Sequence, residues 1–313
     1  MKSFVTGVAG FIGSHLAEKL LAAGHDVIGI DNFLDNYPRP FKEKNLSEVT
    51  VHRNFTFIRD DLLQCDLKSL LRDVSYVFHL AGQPGVRSSW GKEFARYTDN
   101  NIRSTQLLLE AAKELKLTKF VYASTSSVYG DTDDLPMREE GGTRPISPYG
   151  ATKLAAEHLC HLYWKAFGVP TVSLRFFTVY GPRQRPDMFF HIFMRALLRG
   201  DEVPLYDDGE QTRDFTFCAD IVDGALAAAF YPGQGEVFNL GGGSQVSILN
   251  AIALVETMSG RKANLKRFDR QKGDVRHTKA RLDRAKSKLG YLPKVGLEEG
   301  LTKEWNWICA TQD

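Results

Sequence analysis

Tyr149 and Lys153 stand four residues apart in Ser147-Pro148-Tyr149-Gly150-Ala151-Thr152-Lys153. On a helix that spacing puts both side chains on one face. There the ammonium can favour the phenolate and lower a phenol pKa that is ordinarily about 10. Such a phenol can take the proton of an alcohol while hydride leaves the same carbon. Tyr-x-x-x-Lys occurs by chance on many helices. The pair points to chemistry only if the rest of the chain can hold a hydride acceptor and a substrate beside it.

The elements that would do so begin at the N-terminus. The short apolar run Ser3–Val5 leads into Thr6-Gly7-Val8-Ala9-Gly10-Phe11-Ile12-Gly13-Ser14-His15 and then a helical pattern through Leu16, Leu20 and Leu21. This reads as strand, glycine turn and helix. Gly7 permits the tight turn, Gly10 lets backbone approach a pyrophosphate, and Gly13 lets helix pack close to strand. The helix N-terminus would receive the phosphate charge. The spacing G-x-x-G-x-x-G is one residue wider than the usual dinucleotide fingerprint. A second strand, Val27–Ile30, ends in Asp31, placed to bind a ribose 2′-hydroxyl and to repel a 2′-phosphate, which favours NAD over NADP. Phe55–Ile58, Tyr76–Leu80 and Phe120–Ala123 continue the strands, with helical patterns between them, notably Asn101–Leu115. The stretch Asn32–Arg53 reads as a loop or short helix over the cofactor edge. The fold class is α/β, a Rossmann-like doubly wound parallel sheet with ligand motifs at the strand C-terminal ends. After Phe120–Ala123 comes Ser124-Thr125-Ser126-Ser127, small hydroxyl residues suited to a substrate hydroxyl and equally common in ordinary loops.

Bulk properties narrow the class. A chain of 313 residues can bury a substantial core in two domains or one large one. Net charge is +2, with no basic stripe for nucleic acid or an anionic membrane surface. No apolar run is long enough to span a bilayer, and Met1–Thr6 leads directly into a motif, leaving no room for a signal peptide. Cys65, Cys160, Cys218 and Cys309 have no metal-ligand or redox spacing. They are expected to be reduced, buried thiols in a cytoplasmic protein, and no metal site is expected.

Taken together, TGVAGFIGSH, the terminal Asp31, VFHLAG, ASTSSVYG, SPYGATK, LRFFTVYGPRQRPDM, DDGEQTRDFTF and GDVRHTKA resemble the extended short-chain dehydrogenase/reductases, the nucleotide-sugar epimerases and dehydratases. The resemblance covers nearly the whole chain. It implies a tightly held NAD in residues 1–175, with a returning segment around 212–235. It also implies a smaller mixed α/β domain, residues 176–313, that grips a UDP-sugar. Tyr149 would be the base, Lys153 would lower its pKa and hold the nicotinamide ribose, and Thr125 would bind the sugar 4-hydroxyl. Further cofactor contacts are implied at Gly7, Gly10, Phe11, Ile12, Gly13, Asp31, Asn32, Asp61, Leu62, Leu80, Ala81, Asn101 and Phe176. Gly82 stands where the family usually has alanine, a change expected to be harmless. Arg213 and Arg276 match residues that clamp the diphosphate, where a bidentate guanidinium suits the oxygens. A homodimer is implied through a helix bundle to which Leu107, Leu108, Leu159 and Leu162 could contribute, although core packing explains them equally well.

Members share oxidation at the sugar 4-position and differ afterwards. The 4,6-dehydratases typically place Asp-Glu directly after the threonine, and the related decarboxylases usually carry Glu at the position of Ser127. Here Ser126 and Ser127 stand there, and serine cannot do a carboxylate's proton chemistry near neutral pH. That leaves 4-epimerisation: oxidise, rotate the 4-keto sugar, and return hydride to the other face. Thr178 replaces an asparagine typical of UDP-glucose epimerases, and FFTVYGP…RPDM is similar to UDP-glucuronate 4-epimerases. Arg185 is then the candidate for the sugar carboxylate, with Thr178, Ser126 and Ser127 as neutral partners; Arg87 faces the same cleft as a weaker candidate. Turnover of UDP-glucose or UDP-N-acetylglucosamine, decarboxylation of UDP-glucuronate, and a catalytically silent nucleotide sensor are the alternatives.

Overall fold

The computed structural model describes residues 1–311. The first half alternates strand and helix: β1 (Lys2–Thr6), α1 (Phe11–Ala22), β2 (Asp26–Ile30), α2 (Arg39–Leu46), β3 (Phe55–Ile58), α3 (Leu67–Leu71), β4 (Tyr76–His79), α4 (Phe94–Tyr97), α5 (Ser104–Ala112), β5 (Lys119–Thr125), α6 (Pro148–Phe167) and β6 (Thr171–Phe176). The second half holds β7 (Thr178–Tyr180), α7 (Phe189–Arg199), β8 (Glu202–Tyr206), β9 (Thr212–Arg213), β10 (Phe215–Phe217), α8 (Cys218–Phe230), β11 (Glu236–Leu240), β12 (Val246–Ser247), α9 (Ile248–Ser259), β13 (Asn264–Phe268), α10 (Asp283–Leu289) and α11 (Leu297–Ala310).

Seven parallel strands form the main sheet in the order β11-β6-β5-β4-β1-β2-β3. The direction of winding reverses between β1 and β4, and a crevice opens there beyond the strand C-terminal ends. Every residue of β4, β5 and β6 is buried, because helices cover both faces of a parallel sheet. The doubly wound sheet inferred from the motifs is the observed one. After the smaller layer begins, the chain returns to the sheet, where β11 pairs with β6 from Glu236 to Leu240.

Two other elements depart from expectation. Ser173 and Arg175 interrupt the apolar pattern of β6, which hid that strand in the sequence. Its charge is matched across the layer: Arg175 Nη2 and Nε donate to Glu157 on α6 at 2.6 and 3.1 Å, and Ser124 Oγ donates to the same carboxylate at 2.7 Å. The helix expected over Asn101–Leu115 starts earlier, as a π-helical turn at Thr98–Arg103, and ends with α5 at Ala112. Such turns often mark functional positions, and this one carries Asn101.

The smaller layer is built from β7 with β10, β9 with β12 and β8 with β13. One apolar cluster runs continuously from Val5 and Leu16 through Leu174 to Phe190, Phe193, Ile252 and Ile308, so the two layers share a core. A second cluster under α3, α5 and α6 includes Leu108, Phe120 and Cys160. Leu108 is fully buried and belongs to this core, not to a partner contact, whereas Leu162 is 53% exposed. Cys160 and Cys218 are buried; Cys65 and Cys309 are only partly so, contrary to expectation, and all four are unpaired. No helix among the described residues is long and apolar enough to cross a membrane.

Candidate active site

The glycine turn after β1 is built on steric necessity at two points. Gly7 has φ +68°, and a Cβ there would lie 2.8 Å from the Ala81 nitrogen on the loop after β4. A Cβ on Gly13 would come within 2.2 Å of the Gly7 carbonyl oxygen, so α1 can rest on the turn only without one. Gly10 caps α1 with no side-chain hydrogen bond, leaving first-turn N–H groups for an anion. At the end of β2 the Asp31 carboxylate accepts from Ala9 N at 3.1 Å and Phe33 N at 2.9 Å. Burial raises its pKa above the ordinary carboxylate value, opposed by Lys42 and by those two N–H groups. Asn32 Nδ2 reaches Asp61 at 3.2 Å, joining the ends of β2 and β3. Turn, anion-ready helix end and crevice-lining carboxylate suit a dinucleotide.

Ser147 accepts from Gly150 N at 3.1 Å and Pro148 occupies the first turn, so α6 starts where Tyr149 and Lys153 face the crevice. Burial raises the Tyr149 pKa, and the Thr125 hydroxyl and the Arg185 charge pull it back part of the way. Lys153 lines the same crevice as Tyr149. Its Nζ lies over the Tyr122 ring, 4.4 Å from the centroid, and burial pushes its pKa down to about 7.

Asn101 locks the neighbouring loop. Gln83 N donates to Asn101 Oδ1 at 2.8 Å, while Asn101 Nδ2 donates to Gln83 O at 3.1 Å and to Thr152 Oγ1 on α6 at 3.0 Å. Tyr97 packs edge-on against Tyr149 and donates to the Pro84 and Gly85 carbonyls at 2.9 and 2.8 Å.

A crevice of about 400 Å³ collects these groups. It is lined by every expected cofactor contact, namely Gly7, Gly10, Phe11, Ile12, Gly13, Asp31, Asn32, Asp61, Leu62, Leu80, Ala81, Asn101, Tyr149, Lys153 and Phe176, together with Thr125, Ser126, Ser127, Thr178 and Arg185. Asn36, Tyr37, Lys42 and Gln83 line it as well and were not singled out from the sequence. Asn36 Oδ1, Tyr37 OH and Gln83 Oε1 are buried without a hydrogen-bond partner, the state of polar atoms that face a ligand. Their types are ordinary for loops, so only burial distinguishes them.

Arg87, Arg213 and Arg276 lie outside this lining and form a cluster of their own with Arg270, which the sequence reading missed. Arg213 Nη1 donates to the Thr212 and Arg276 carbonyls at 2.8 and 3.3 Å. Burial lowers its pKa, and Asp274, Arg87, Asp131 and Arg270 all act on its charge. Arg276 forks onto Asp208 at 2.8 and 2.7 Å, and Arg270 pairs with Asp131 at 2.9 Å. Arg87 pairs with Asp274 at 2.7 Å and stacks 3.9 Å from the centre of the Tyr206 ring. Guanidinium groups gathered in this way suit a diphosphate. Among the described residues no group of three or more His, Cys, Asp or Glu side chains could hold a metal ion.

A glycine turn suited to a dinucleotide, Tyr149 and Thr125 in the same crevice and an arginine cluster outside its lining together suit an oxidoreductase acting on a nucleotide-linked substrate. The chain belongs to the NAD dependent epimerase/dehydratase family, whose model matches residues 3–241. It is 46% identical to the UDP-glucuronic acid 4-epimerase of Bacillus cereus, solved in complex with UDP-glucuronic acid and NAD; the match covers 99% of each chain with a TM-score of 0.97. It is 49% identical to an uncharacterized UDP-glucose epimerase of Bacillus subtilis strain 168, YtcB, over 99% of this chain and 98% of the relative. The UDP-glucuronate 4-epimerase of Thermodesulfobacterium geofontis is 39% identical, over 97% of this chain and 94% of that one.

Proposed function

We propose that this chain catalyses NAD-dependent 4-epimerisation of a UDP-sugar, interconverting UDP-glucuronate and UDP-galacturonate. The observation that carries the reading is the meeting of Tyr149, Thr125 and Arg185 in one crevice, where hydroxyl and guanidinium both favour the phenolate. Base and carboxylate-binding cation are thus neighbours. The glycine turn, Asp31 and Asn101 would hold NAD, which when bound supplies the hydride acceptor and later the hydride donor. Thr125 would orient the sugar 4-hydroxyl. Tyr149 would take its proton as hydride leaves C4, giving a 4-keto sugar. After the sugar turns over, Tyr149 would return the proton while hydride reaches the opposite face, so the net reaction inverts C4 without consuming cofactor.

Ser126 and Ser127, with no carboxyl group between them, leave nothing at those positions to drive dehydration or decarboxylation. Arg87, Arg213 and Arg276 are assigned to the diphosphate. The cofactor part is taken as residues 1–175 with the return extended to 240, and the remainder grips the nucleotide sugar. A homodimer through α5 and α6 is proposed on the exposure of Leu162 and Phe167, 53% and 54%. Sedimentation velocity at micromolar protein checks it. Four unpaired cysteines suit a reducing cytoplasm.

The YtcB likeness favours a second reading, UDP-glucose as substrate. A proton NMR time course with NAD and either UDP-glucuronate or UDP-glucose separates the two. Growth of UDP-galacturonate supports the first; UDP-galactose alone supports the second; UDP-xylose would mean decarboxylation. With the active sugar, Tyr149→Phe should lower kcat by about 10²–10⁴-fold while leaving NAD binding intact.

A further inference from the structure

Arg185 faces the crevice, yet its fork is already engaged. Nε and Nη2 donate to the two carboxylate oxygens of Asp187 at 2.9 and 3.0 Å. The arginine is 19% exposed and lines the crevice; the aspartate is 46% exposed and does not. Pro186 separates them, and Met188 N donates to the Arg185 carbonyl at 3.0 Å, closing a turn that fixes the two side chains on one side. Asp187 directly precedes Met188, the cap of α7, and so sits at the positive end of that helix. It therefore has a second favourable place for its charge when the arginine lets go.

Resting on the glucuronate reading above, we propose that Asp187 is a resident competitor for the sugar carboxylate at Arg185. The two carboxylates are chemically alike and want the same bidentate fork. Substrate binding must displace Asp187, which weakens the grip on the ground state. During turning of the 4-keto sugar the carboxylate leaves Arg185, and Asp187 re-pairs with the guanidinium. The turning state then resembles free enzyme at this position, and an arginine stripped of both partners never has to form. Asp187 acts through Arg185 and is a positioning residue.

The kinetic signature follows from that cycle. Asp187→Asn keeps the shape and removes the competing charge. Partly exposed pairs of this kind are weak, so KM for UDP-glucuronate should fall about two- to fivefold. The turning state gains nothing, so kcat should fall by the same factor and kcat/KM should stay constant. The inhibition constant of free UDP, which lacks the sugar, should not move. In an Arg185→Ala background, Asp187→Asn should have no further effect on UDP-glucuronate affinity measured by calorimetry on the NAD-loaded protein. A raised KM would overturn the proposal, since Asp187 would then merely orient Arg185; unchanged KM and kcat would overturn it too. A wild-type protein that converts UDP-glucose but not UDP-glucuronate would instead remove the substrate reading on which it rests.

Discussion

An added Cβ at Gly82 would lie 2.8 Å from Asn101 Oδ1 and 3.8 Å from Lys153 Nζ. Introducing the alanine usual in the family would therefore require Asn101 to give way in this chain. Asn101 is held by three hydrogen bonds, to Gln83 N, Gln83 O and Thr152 Oγ1, and cannot swing aside without breaking some of them. Gly82→Ala should lower stability by about 1–3 kcal/mol, as overpacking does, read as a reduced midpoint in urea. At this scale Tyr149 and the glycine turn were legible in local spacing, whereas Thr125 was singled out only by the resemblance to the family. Tyr37, Gln83 and Arg270 were not, because residues so common in loops acquire meaning only from what surrounds them.

Helices and strands here are tied by polar groups buried between layers. Ala81 N donates to Thr6 Oγ1 at 3.0 Å, and that hydroxyl lies 2.8 Å from His79 Nδ1. His79 Nε2 is 2.9 Å from Thr105 Oγ1, which in turn donates to the Asn101 carbonyl at 2.6 Å. Since the Thr105 proton is spent on that carbonyl, His79 Nε2 carries a proton; burial keeps the ring neutral, so Nδ1 accepts from Thr6 and the chain of bonds runs in one direction from β1 through β4 to the π turn. Burial pushes its pKa from 6.5 down to about 3. Between those values the unfolded chain binds more protons than the folded one, so this residue's stabilisation is complete above pH 6.5 and is lost as pH falls toward 3. The slope approaches about 1.4 kcal/mol per pH unit. Asp214, pushed up to about 6 by burial, contributes with the opposite sign below that pH, so the test is a difference between proteins. Urea midpoints from pH 7 to 4.5 should fall less steeply in His79→Gln than in the wild type.

Glu157 and Arg175, each 5% exposed, join α6 to β6. Removing one partner leaves a buried charge, so Glu157→Gln should cost about 3–5 kcal/mol in chemical denaturation. Arg175→Met on top of it should recover part of that loss. The same pair explains why β6 was hard to read: its charge is tolerable in a central strand only because α6 carries the matching one. The alternating strands before it were legible from apolar runs alone.

For the molecule as a whole, the apolar cluster reaching from Val5 to Ile308 crosses from the seven-stranded sheet to the smaller layer. A shared core couples the two parts even though different stretches of sequence build them. Calorimetry should therefore show one unfolding transition, with van't Hoff and calorimetric enthalpies equal, instead of one for each part. Saturating NAD at 100 times its Kd should then stabilise the whole by about 2.7 kcal/mol.

The order of glycines, Asp31 at the end of β2, the serines after Thr125 and the helix bearing Tyr149 were determined by the sequence itself. Each depends on backbone freedom, period or spacing within a few residues, and so do the parallel sheet and the class of cofactor. Tertiary structure alone decided that Lys153 Nζ lies over the Tyr122 ring, that Arg185 is held by Asp187, and that Asn101 leaves no room for a Cβ at Gly82. It also decided that the diphosphate candidates gather away from the crevice in a cluster that includes Arg270. Those facts concern which of several available partners a long side chain meets, and burial and charge contributed by distant segments settle that choice.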